Sequence, residues 1–372
     1  MKIFICGPTL YEKCHIGHAR IFIFFNFLIN FHRFIGDSPI AVLQLTDIDH
    51  KIYQKDGYET TKIADISYKF LSYLFEDLNK IQVEQNFIYT RVSDFLSLIK
   101  NDVINILNSK KGYSYAGNVY LTIPKDINSP FGLTLADIEN MPIDISCGKN
   151  NQKDIMIWNS ENFYQEYVKK NDSNDESYKR ILTSGIPGWH FQDHEIIKNV
   201  YNNEYDIHGG ARELLYPHHE FIDEISKRID IPNKIPQKNL WIHIGLVNIH
   251  SEKMSNSIGN TIFISDVLKR YNPNTLKIFF LSQNYKKDIE FSSNDLDEAD
   301  EIDKIITTVL LENKNSLQQN NNLEDQVMEK FKFLCHDYDT ESAINLVLET
   351  LGKYQNPELI KRMLEILGLQ YY

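Results

Sequence analysis

The sequence predicts an α/β fold with a doubly wound, Rossmann-like parallel sheet, followed by a helical bundle. The chain opens with the β-prone run Lys2–Cys6, and Gly7-Pro8-Thr9 then separates this run from a helix-like apolar stretch that begins at Ile16. A second, nearly continuous apolar run, 39–47, is typical of a strand buried on both faces of a parallel sheet. After Asn294 the chain becomes acidic, leucine-rich and helical in pattern, which predicts a small bundle.

The chain is long enough for two or three compact units, and its pattern changes suggest where they divide. Two helical patterns fill Ala64 to about Leu107, a turn-rich stretch with β-branched and aromatic residues follows, and the polar stretch 169–179 precedes the return of the α/β pattern at Gly185. We therefore expect the first half of a sheet domain at 1–110, an inserted subdomain at 111–180, the second half at 181–293 and a helical bundle at 294–372.

Composition excludes several classes of protein. The net charge of −12 excludes a generally basic nucleic-acid binder, so any RNA contact requires a local basic patch. The apolar run Ile21–Leu28 is interrupted or flanked by Asn26, Asn30 and Arg33, which favours a buried helix over a membrane segment. The four cysteines are scattered and imply reduced thiols in the cytoplasm without a disulfide framework: Cys6, Cys14, Cys147 and Cys335.

The segment Cys14-His15-Ile16-Gly17-His18 follows the first strand and its turn, and it is a candidate phosphate site. Two imidazoles three positions apart face one way on the first helical turn, where free N–H groups and a partial positive charge attract anions. Gly17 lets a nucleotide approach the backbone. Taken alone, the histidines are better explained by capping or core packing, because short patterns recur by chance.

A second candidate segment lies far downstream, at Glu252–Asn260, after the apolar run 241–248. The ammonium of Lys253 can meet the charge that develops on a pyrophosphate leaving group. By itself this segment is only a polar turn.

Together the two segments resemble the ATP-binding motifs of class I aminoacyl-tRNA synthetases, whose usual forms are His-Ile-Gly-His and Lys-Met-Ser-Lys-Ser. The first form matches in full, whereas Asn256 stands where the family has its second lysine, which removes one cationic contact. The resemblance implies catalytic roles for His15, His18 and Lys253. It also implies ATP contacts from these three residues and from Thr9, Gly17, Ser255 and Asn256, with Mg2+ accompanying the ATP.

Further segments are similar to cysteinyl-tRNA synthetases: Cys6–Tyr11, Leu45–Asp49, Gly188–His190, Asp206–Gly210 and Pro217–Glu220. The resemblance implies activation of cysteine with ATP and transfer to tRNA(Cys). It implies that Cys6, Thr46, Trp189 and His218 bind the amino acid. The structural alternatives are that Trp189 is a buried core residue and that Thr46 caps a helix.

The same family holds a zinc ion with two cysteines, one histidine and one glutamate, and the ion binds the substrate thiolate. Carried over by position, the resemblance keeps Cys6 and His218 but puts Asp193 at the second cysteine and Ile222 at the glutamate. Zinc retained by Cys6, Asp193 and His218 is the favoured reading. Four neighbours are candidates for the missing acid: His194, His219, Glu220 and Asp223. The alternatives are a metal-free pocket rebuilt for another amino acid, and Cys6 as a small buried hydrophobe.

Two other functions stay open from the sequence. One is a cysteine:small-amine ligase of the mycothiol-pathway type, because the chain ends at Tyr372 without an evident anticodon-binding unit. The other is a non-catalytic paralogue that binds nucleotide or RNA, against which the intact His15–His18 motif argues. A monomer is the expected state.

Overall fold

The computed structural model describes residues 1–55, 63–123, 129–132, 149–151, 153–160, 185–229, 239–249, 252–254, 259–312, 321–354 and 356–371. Its centre is a five-stranded parallel sheet in the order β3-β2-β1-β8-β9. These strands are β1 (Lys2–Thr9), β2 (Ile40–Thr46), β3 (Ile88–Arg91), β8 (Ile207–Ala211) and β9 (Leu240–Ile244). The predicted doubly wound parallel sheet is confirmed.

Helices cover both faces of this sheet. They are α1 (Ile16–Phe34), α2 (His50–Lys55), α3 (Ile63–Lys80), α4 (Val92–Asn108), α5 (Trp189–Tyr201) and α6 (Glu220–Ile229). The apolar helix α1 is buried on all sides except near its ends, between the sheet and the C-terminal helices. Gly209 of β8 allows this packing, because a Cβ there would lie 1.9 Å from Cζ of Phe25. In the part of the chain described, no helix has the length and apolarity required to cross a bilayer.

Two further sheets flank the core. One is antiparallel, with β4 (Gly112–Tyr115), β5 (Asn118–Leu121), β6 (Ile155–Asn159) and β7 (Ile186–Pro187). Its last strand follows residue 180, where the sequence analysis ended the insert. The other joins β10 (Val247–Ile249), β11 (Glu252–Lys253) and β12 (Ile289–Glu290).

The remaining helices pack on α1 and on one another. They are α7 (Ile264–Val267), α8 (Pro273–Leu281), α9 (Ser293–Glu312), α10 (Asn321–His336), α11 (Thr340–Tyr354) and α12 (Pro357–Ile366). Their apolar faces join the same large core as α1, which agrees with the expected C-terminal helical bundle.

The structure corrects three local expectations. Gly7-Pro8-Thr9 is not a turn: β1 continues to Thr9 through a register irregularity, and Gly7 is required because a Cβ would lie 2.0 Å from the carbonyl oxygen of Gln44. The short strand β3, between two helices, was missed. The apolar run 241–248 is divided at Gly245 between β9 and β10, which belong to two different sheets. Glycine is required at this corner because a Cβ would lie 2.0 Å from the carbonyl oxygen of Lys287. The stretch 169–179 and Cys147 lie outside the described residues.

Candidate active site

The first motif begins α1 at the carboxyl edge of the parallel sheet. His15 is the N-cap, and its Nδ1 accepts the N–H of Gly17 at 3.1 Å. Nδ1 of His18 accepts the N–H of His15 at 3.3 Å, and the two ring centroids are 4.0 Å apart. Because each Nδ1 is an acceptor, each neutral ring carries its proton on Nε2. Burial, followed by the neighbouring His15, holds the pKa of His18 well below its usual value, so His18 acts as a neutral donor.

The first helical amides are not free, contrary to the expectation from the sequence. The N–H of Ile16 donates to the carbonyl of Ile262 at 3.0 Å, and the N–H of Gly17 is used by the His15 ring. The reason is tertiary: the chain after residue 259 pairs with the motif through a β-bridge between His15 and Phe263. The Nε2–H groups are therefore the donors that this motif offers to a phosphate.

The second motif reaches the first through this same pairing. Strand β11 runs antiparallel to β10, with Lys253 opposite Asn248. Met254 is buried, its N–H donates to Val247 at 3.2 Å, and its sulfur accepts the N–H of Ile262 at 3.4 Å. The structure describes only the backbone of Lys253, and Ser255 and Asn256 lie outside the described residues.

A cavity of about 450 Å³ lies where the two motifs meet. Its lining includes both motifs, the ends of β8 and β9, and the corner that follows β9: Tyr11, His15, Gly17, His18, Ile21, Lys51, Ala211, Glu213, Ile244, Gly245, Leu246, Val247 and Met254. This is the edge of an open α/β sheet where ligands usually bind. Thr9 ends β1 opposite Thr46, two residues before the cavity-lining Tyr11.

Sequence reasoning missed one cation that lines this cavity and one that lies behind its lining residues. Arg20 is buried and donates to the carbonyls of Gly245 at 2.7 Å, Leu246 at 3.1 Å and Asn284 at 2.9 Å, which fixes the corner after β9 against α1. Lys51 lines the cavity, with Nζ 5.5 Å from the ring centroid of Tyr11. An arginine inside an otherwise apolar helix was the available signal, because a buried charge requires partners.

A second cluster surrounds the sulfur of Cys6, in the middle of β1. The sulfur lies 3.1 Å from Oδ2 of Asp193, 3.2 Å from Nε2 of His208, 3.3 Å from Nε2 of His219 and 3.6 Å from Nε2 of His218. Nε2 of His218 lies 3.0 Å from Oδ2 of Asp193. All five side chains are buried. The structure thus brings together Cys6, Asp193 and His218, and it adds two imidazoles to them.

The chemistry of this cluster fits a divalent metal ion. Ligands of tetrahedral zinc are separated by about 3.3 to 3.6 Å, which is close to the spacing found here. Oδ1 of Asp193 is buried without a hydrogen-bond partner. Burial, and next to it the charge of Asp193, raises the pKa of the Cys6 thiol, a penalty that a bound cation reverses. Burial also lowers the pKa of His208 and His219, which leaves the neutral imidazoles that metals bind.

Three of the four residues considered for the missing acidic ligand contact other side chains. His194 lies against Glu195 at 3.2 Å, Glu220 accepts the hydroxyl of Ser129 at 2.8 Å, and Asp223 pairs with Lys227 at 2.6 Å. Ile222 is buried in an apolar cluster that includes Phe4 and Cys6. Of those four neighbours, His219 is the one whose ring contacts the Cys6 sulfur.

The two remaining candidates for the amino-acid pocket differ in their surroundings. Trp189 begins α5, is 41% exposed, and its ring lies 4.7 Å from that of His218. It therefore lies on the open side of the Cys6 cluster and not in the core. Thr46 is buried, and its hydroxyl accepts Nε2 of Gln44 at 2.9 Å, so this oxygen already has a partner inside the sheet.

Comparisons with known proteins agree with this arrangement. Residues 1–301 match a family model described as the tRNA synthetases class I (C) catalytic domain. A cysteine–tRNA ligase of Thermoplasma volcanium is 33% identical over 307 residues, which cover 80% of this chain and 64% of the relative. One from Buchnera aphidicola is 30% identical over 370 residues, covering 97% of this chain and 76% of the relative. The chain therefore spans about two thirds to three quarters of the length of these relatives.

Solved structures resemble the fold at low sequence identity. Methionyl-tRNA synthetase of Mycobacterium tuberculosis bound by methionyl-adenylate has a TM-score of 0.67 at 10% identity, over 98% of this chain and 83% of that one. A ternary LeuRS–tRNA–LeuAMS complex from Agrobacterium radiobacter K84 has a TM-score of 0.66 at 10% identity, over 98% and 82%. At these identities the likeness concerns the fold alone.

Proposed function

The chain belongs to the class I (C) tRNA synthetase catalytic-domain family, and on this premise we propose that it is a cysteine–tRNA ligase that activates cysteine with ATP and transfers it to tRNA(Cys). The observation that carries the proposal is the convergence of the two motifs: the bridge between His15 and Phe263 draws the chain after Met254 to the start of α1, around one cavity. The relatives from Thermoplasma and Buchnera bear the name of this activity.

The proposed first step is attack of the amino-acid carboxylate on the α-phosphorus of ATP, which yields an aminoacyl-adenylate and pyrophosphate. The Nε2–H groups of His15 and His18 donate hydrogen bonds to phosphate oxygens, and Lys253 places a positive charge near the leaving pyrophosphate. We further propose that Thr9, Gly17, Ser255 and Asn256 belong to the ATP site, and that Mg2+ accompanies ATP and offsets phosphate charge. The chain needs no nucleophilic side chain, because its residues position and stabilise the reactants.

The amino-acid pocket is proposed at the Cys6 cluster, with Trp189 on its open side and Thr46 at the adjoining strand end. Cys6, Asp193 and His218 would hold a zinc ion there. When bound, this ion offers a thiolate a soft ligand site that a hydroxyl fills poorly, which favours cysteine over serine.

The organisation proposed for this function has four parts. Residues 1–110 and 181–293 form the two halves of the catalytic domain, 111–180 form the insert, and 294–372 form the helical bundle on the tRNA side. We propose a monomer acting in the cytoplasm, where tRNA is charged for translation. The described cysteines, Cys6, Cys14 and Cys335, are free thiols, which is consistent with a reducing compartment.

The test is amino-acid-dependent exchange of labelled pyrophosphate into ATP, run over twenty amino acids. Cysteine should give the fastest exchange, and subsequent addition of total tRNA should give a charged species. His15→Ala should lower exchange by about 10²-fold or more, because it removes a transition-state donor. His336→Ala is the matched control, since this exposed histidine lies in α10. Absence of exchange with every amino acid would refute the proposal.

A further inference from the structure

The ring of His219 contacts the sulfur of Cys6 and is not among the three zinc ligands of the proposed function. We propose that His219 is a ligand of a divalent transition-metal ion, and that it completes a four-residue site with Cys6, Asp193 and His218. The inference deepens the proposed function and rests on it only for the identity of the substrate that reaches this site.

The distances support a shared ion. The ligand atoms of Cys6, His218 and His219 all lie within 4.8 Å of one another, and they are all buried. Oδ2 of Asp193 adjoins this group, 3.1 Å from the sulfur and 3.0 Å from Nε2 of His218. One sulfur, two imidazole nitrogens and one carboxylate oxygen form a ligand set that transition metals such as zinc and cobalt accept.

Both imidazoles are oriented by a second histidine. Nδ1 of His218 lies 2.9 Å from Nδ1 of His190, and Nδ1 of His219 lies 2.8 Å from Nε2 of His243. A metal-bound imidazole typically donates its other ring N–H to a fixed acceptor, which sets its tautomer and holds its orientation. In this arrangement His190 and His243 are those acceptors, and the two Nε2 lone pairs face Cys6.

Local backbone geometry explains how two consecutive residues contact one sulfur. Residues Leu215–His219 form a kinked segment that leads into α6, because Tyr216 within it has extended dihedral angles. In a regular helix, consecutive side chains diverge by about 100° around the axis. The extended conformation of Tyr216 interrupts the helical path just before these residues, and both His218 and His219 reach the Cys6 sulfur.

The charges balance within the site. Cys6 as a thiolate and Asp193 as a carboxylate contribute two negative charges, which a divalent cation neutralises, and His218 and His219 contribute none in their neutral forms. Without a cation, the buried carboxylate of Asp193 has the Cys6 thiol and the His218 ring as its polar neighbours. A metal site without net charge costs less at this buried position than a site with a net charge.

His208 is the competing fourth ligand, because its Nε2 lies 3.2 Å from the same sulfur. Its ring stacks on Trp241 with centroids 4.3 Å apart, and its Nδ1 is buried without a partner. It therefore lacks the outer acceptor that both His218 and His219 have, and its role is to pack beside the sulfur.

The experiment measures metal binding by the purified full chain, without reference to catalysis. Bound zinc is counted by mass spectrometry, its affinity is measured by competition with a chromophoric chelator, and Co2+-substituted protein is examined for thiolate-to-cobalt charge transfer and for the intense d–d bands of four-coordinate cobalt. The variants are Cys6→Ala, His219→Ala and His208→Ala, with His336→Ala as a histidine control.

We expect one metal per wild-type chain, and His219→Ala should lower zinc affinity at least tenfold and weaken the four-coordinate d–d bands. Cys6→Ala should abolish the charge-transfer band, whereas His208→Ala and His336→Ala should bind as the wild type does. His243→Ala, which leaves the ligand in place, should lower affinity by about 10- to 100-fold, and it tests the same idea if His219→Ala does not fold.

The inference is overturned if both His219→Ala and His243→Ala bind zinc with wild-type affinity. It is also overturned if His208→Ala loses as much zinc affinity as His219→Ala does, or if the wild-type chain binds no metal. Pyrophosphate exchange is measured on the same preparations to keep the two proposals apart. If His219→Ala keeps its metal and the wild type catalyses exchange, His219 is not a ligand but the proposed ligase function stands. If His219→Ala loses its metal and the wild type catalyses no exchange, His219 is a ligand but the ligase function is refuted.

Discussion

Arg20→Met should reduce both the stability of the fold and the affinity of the ATP cavity. The guanidinium joins α1 to the corner between β9 and β10 through three carbonyls, and two of these belong to the cavity-lining Gly245 and Leu246. Burial lowers the pKa of Arg20 to about 10, so the side chain is still charged at pH 7 and its three hydrogen bonds are charge-assisted.

The magnitude follows from these contacts. Hydrogen bonds to a charged group contribute about 1.5 to 3 kcal/mol each, so three of them could reach about 9 kcal/mol if desolvation were free. Removing the charge also removes its desolvation cost, and a buried neutral acceptor left without a partner typically costs about 1 to 3 kcal/mol. We expect a loss of this size in the free energy of unfolding, because methionine removes the Arg20 donor from the carbonyl of Gly245, whereas the carbonyls of Leu246 and Asn284 still accept the backbone N–H groups of Ile289 and Lys287.

Urea denaturation followed by circular dichroism measures the loss, and pyrophosphate exchange measures the effect on ATP. A displacement of the corner by about 1 Å should raise the KM for ATP by up to about 10²-fold. Arg20→Lys should restore part of both. The control is Arg362→Met, an exposed arginine stacked over Phe34, which should change stability by less than about 1 kcal/mol. If Arg20→Met unfolds at the wild-type urea midpoint with an unchanged KM, Arg20 does not fix this corner.

Three other predictions concern charge. Asn256→Lys should raise kcat for exchange about tenfold by adding a cation beside the phosphates, and Lys253→Ala should lower kcat about 10²- to 10³-fold. If neither substitution changes the exchange kinetics, the proposed ATP site is wrong. Because the pKa of His18 lies well below its usual value, the pH profile of the exchange rate should show no inflection from this ring between pH 6 and 8. The profiles of the wild type and His18→Gln should therefore run parallel. An inflection near pH 6.5 in the wild-type profile alone would contradict the lowered pKa. Burial raises the pKa of Asp77 to about 6, so its charged form opposes folding, and stability should increase as pH falls through 6 towards 4. Asp77→Asn should accordingly stabilise at pH 7 by about 1 to 2 kcal/mol in urea denaturation, with the difference vanishing near pH 4; a constant difference at both pH values would contradict the raised pKa.

The sequence by itself determined the elements whose signals are local. The apolar runs of β1 and β2 and the all-round apolarity of α1 predicted a sheet buried on both faces, and the structure has that sheet. The sequence also indicated Cys6, Asp193 and His218 as partners, from the family resemblance and not from their spacing. The prediction of the sheet succeeded because hydrophobic periodicity is encoded within a few consecutive residues.

Only the tertiary structure decided which polar groups meet. His208 and His219 reach Cys6 from β8 and from the segment before α6, and Arg20 reaches from α1 to the corner after β9. The free amides expected at the start of α1 were lost for the same reason, because the chain near Ile262 pairs there. The direction of a side chain among close neighbours in sequence depends on strand register and on kinks such as the one at Tyr216, and distant parts of the chain fix both. A local pattern therefore identifies candidate ligands, but packing selects among them.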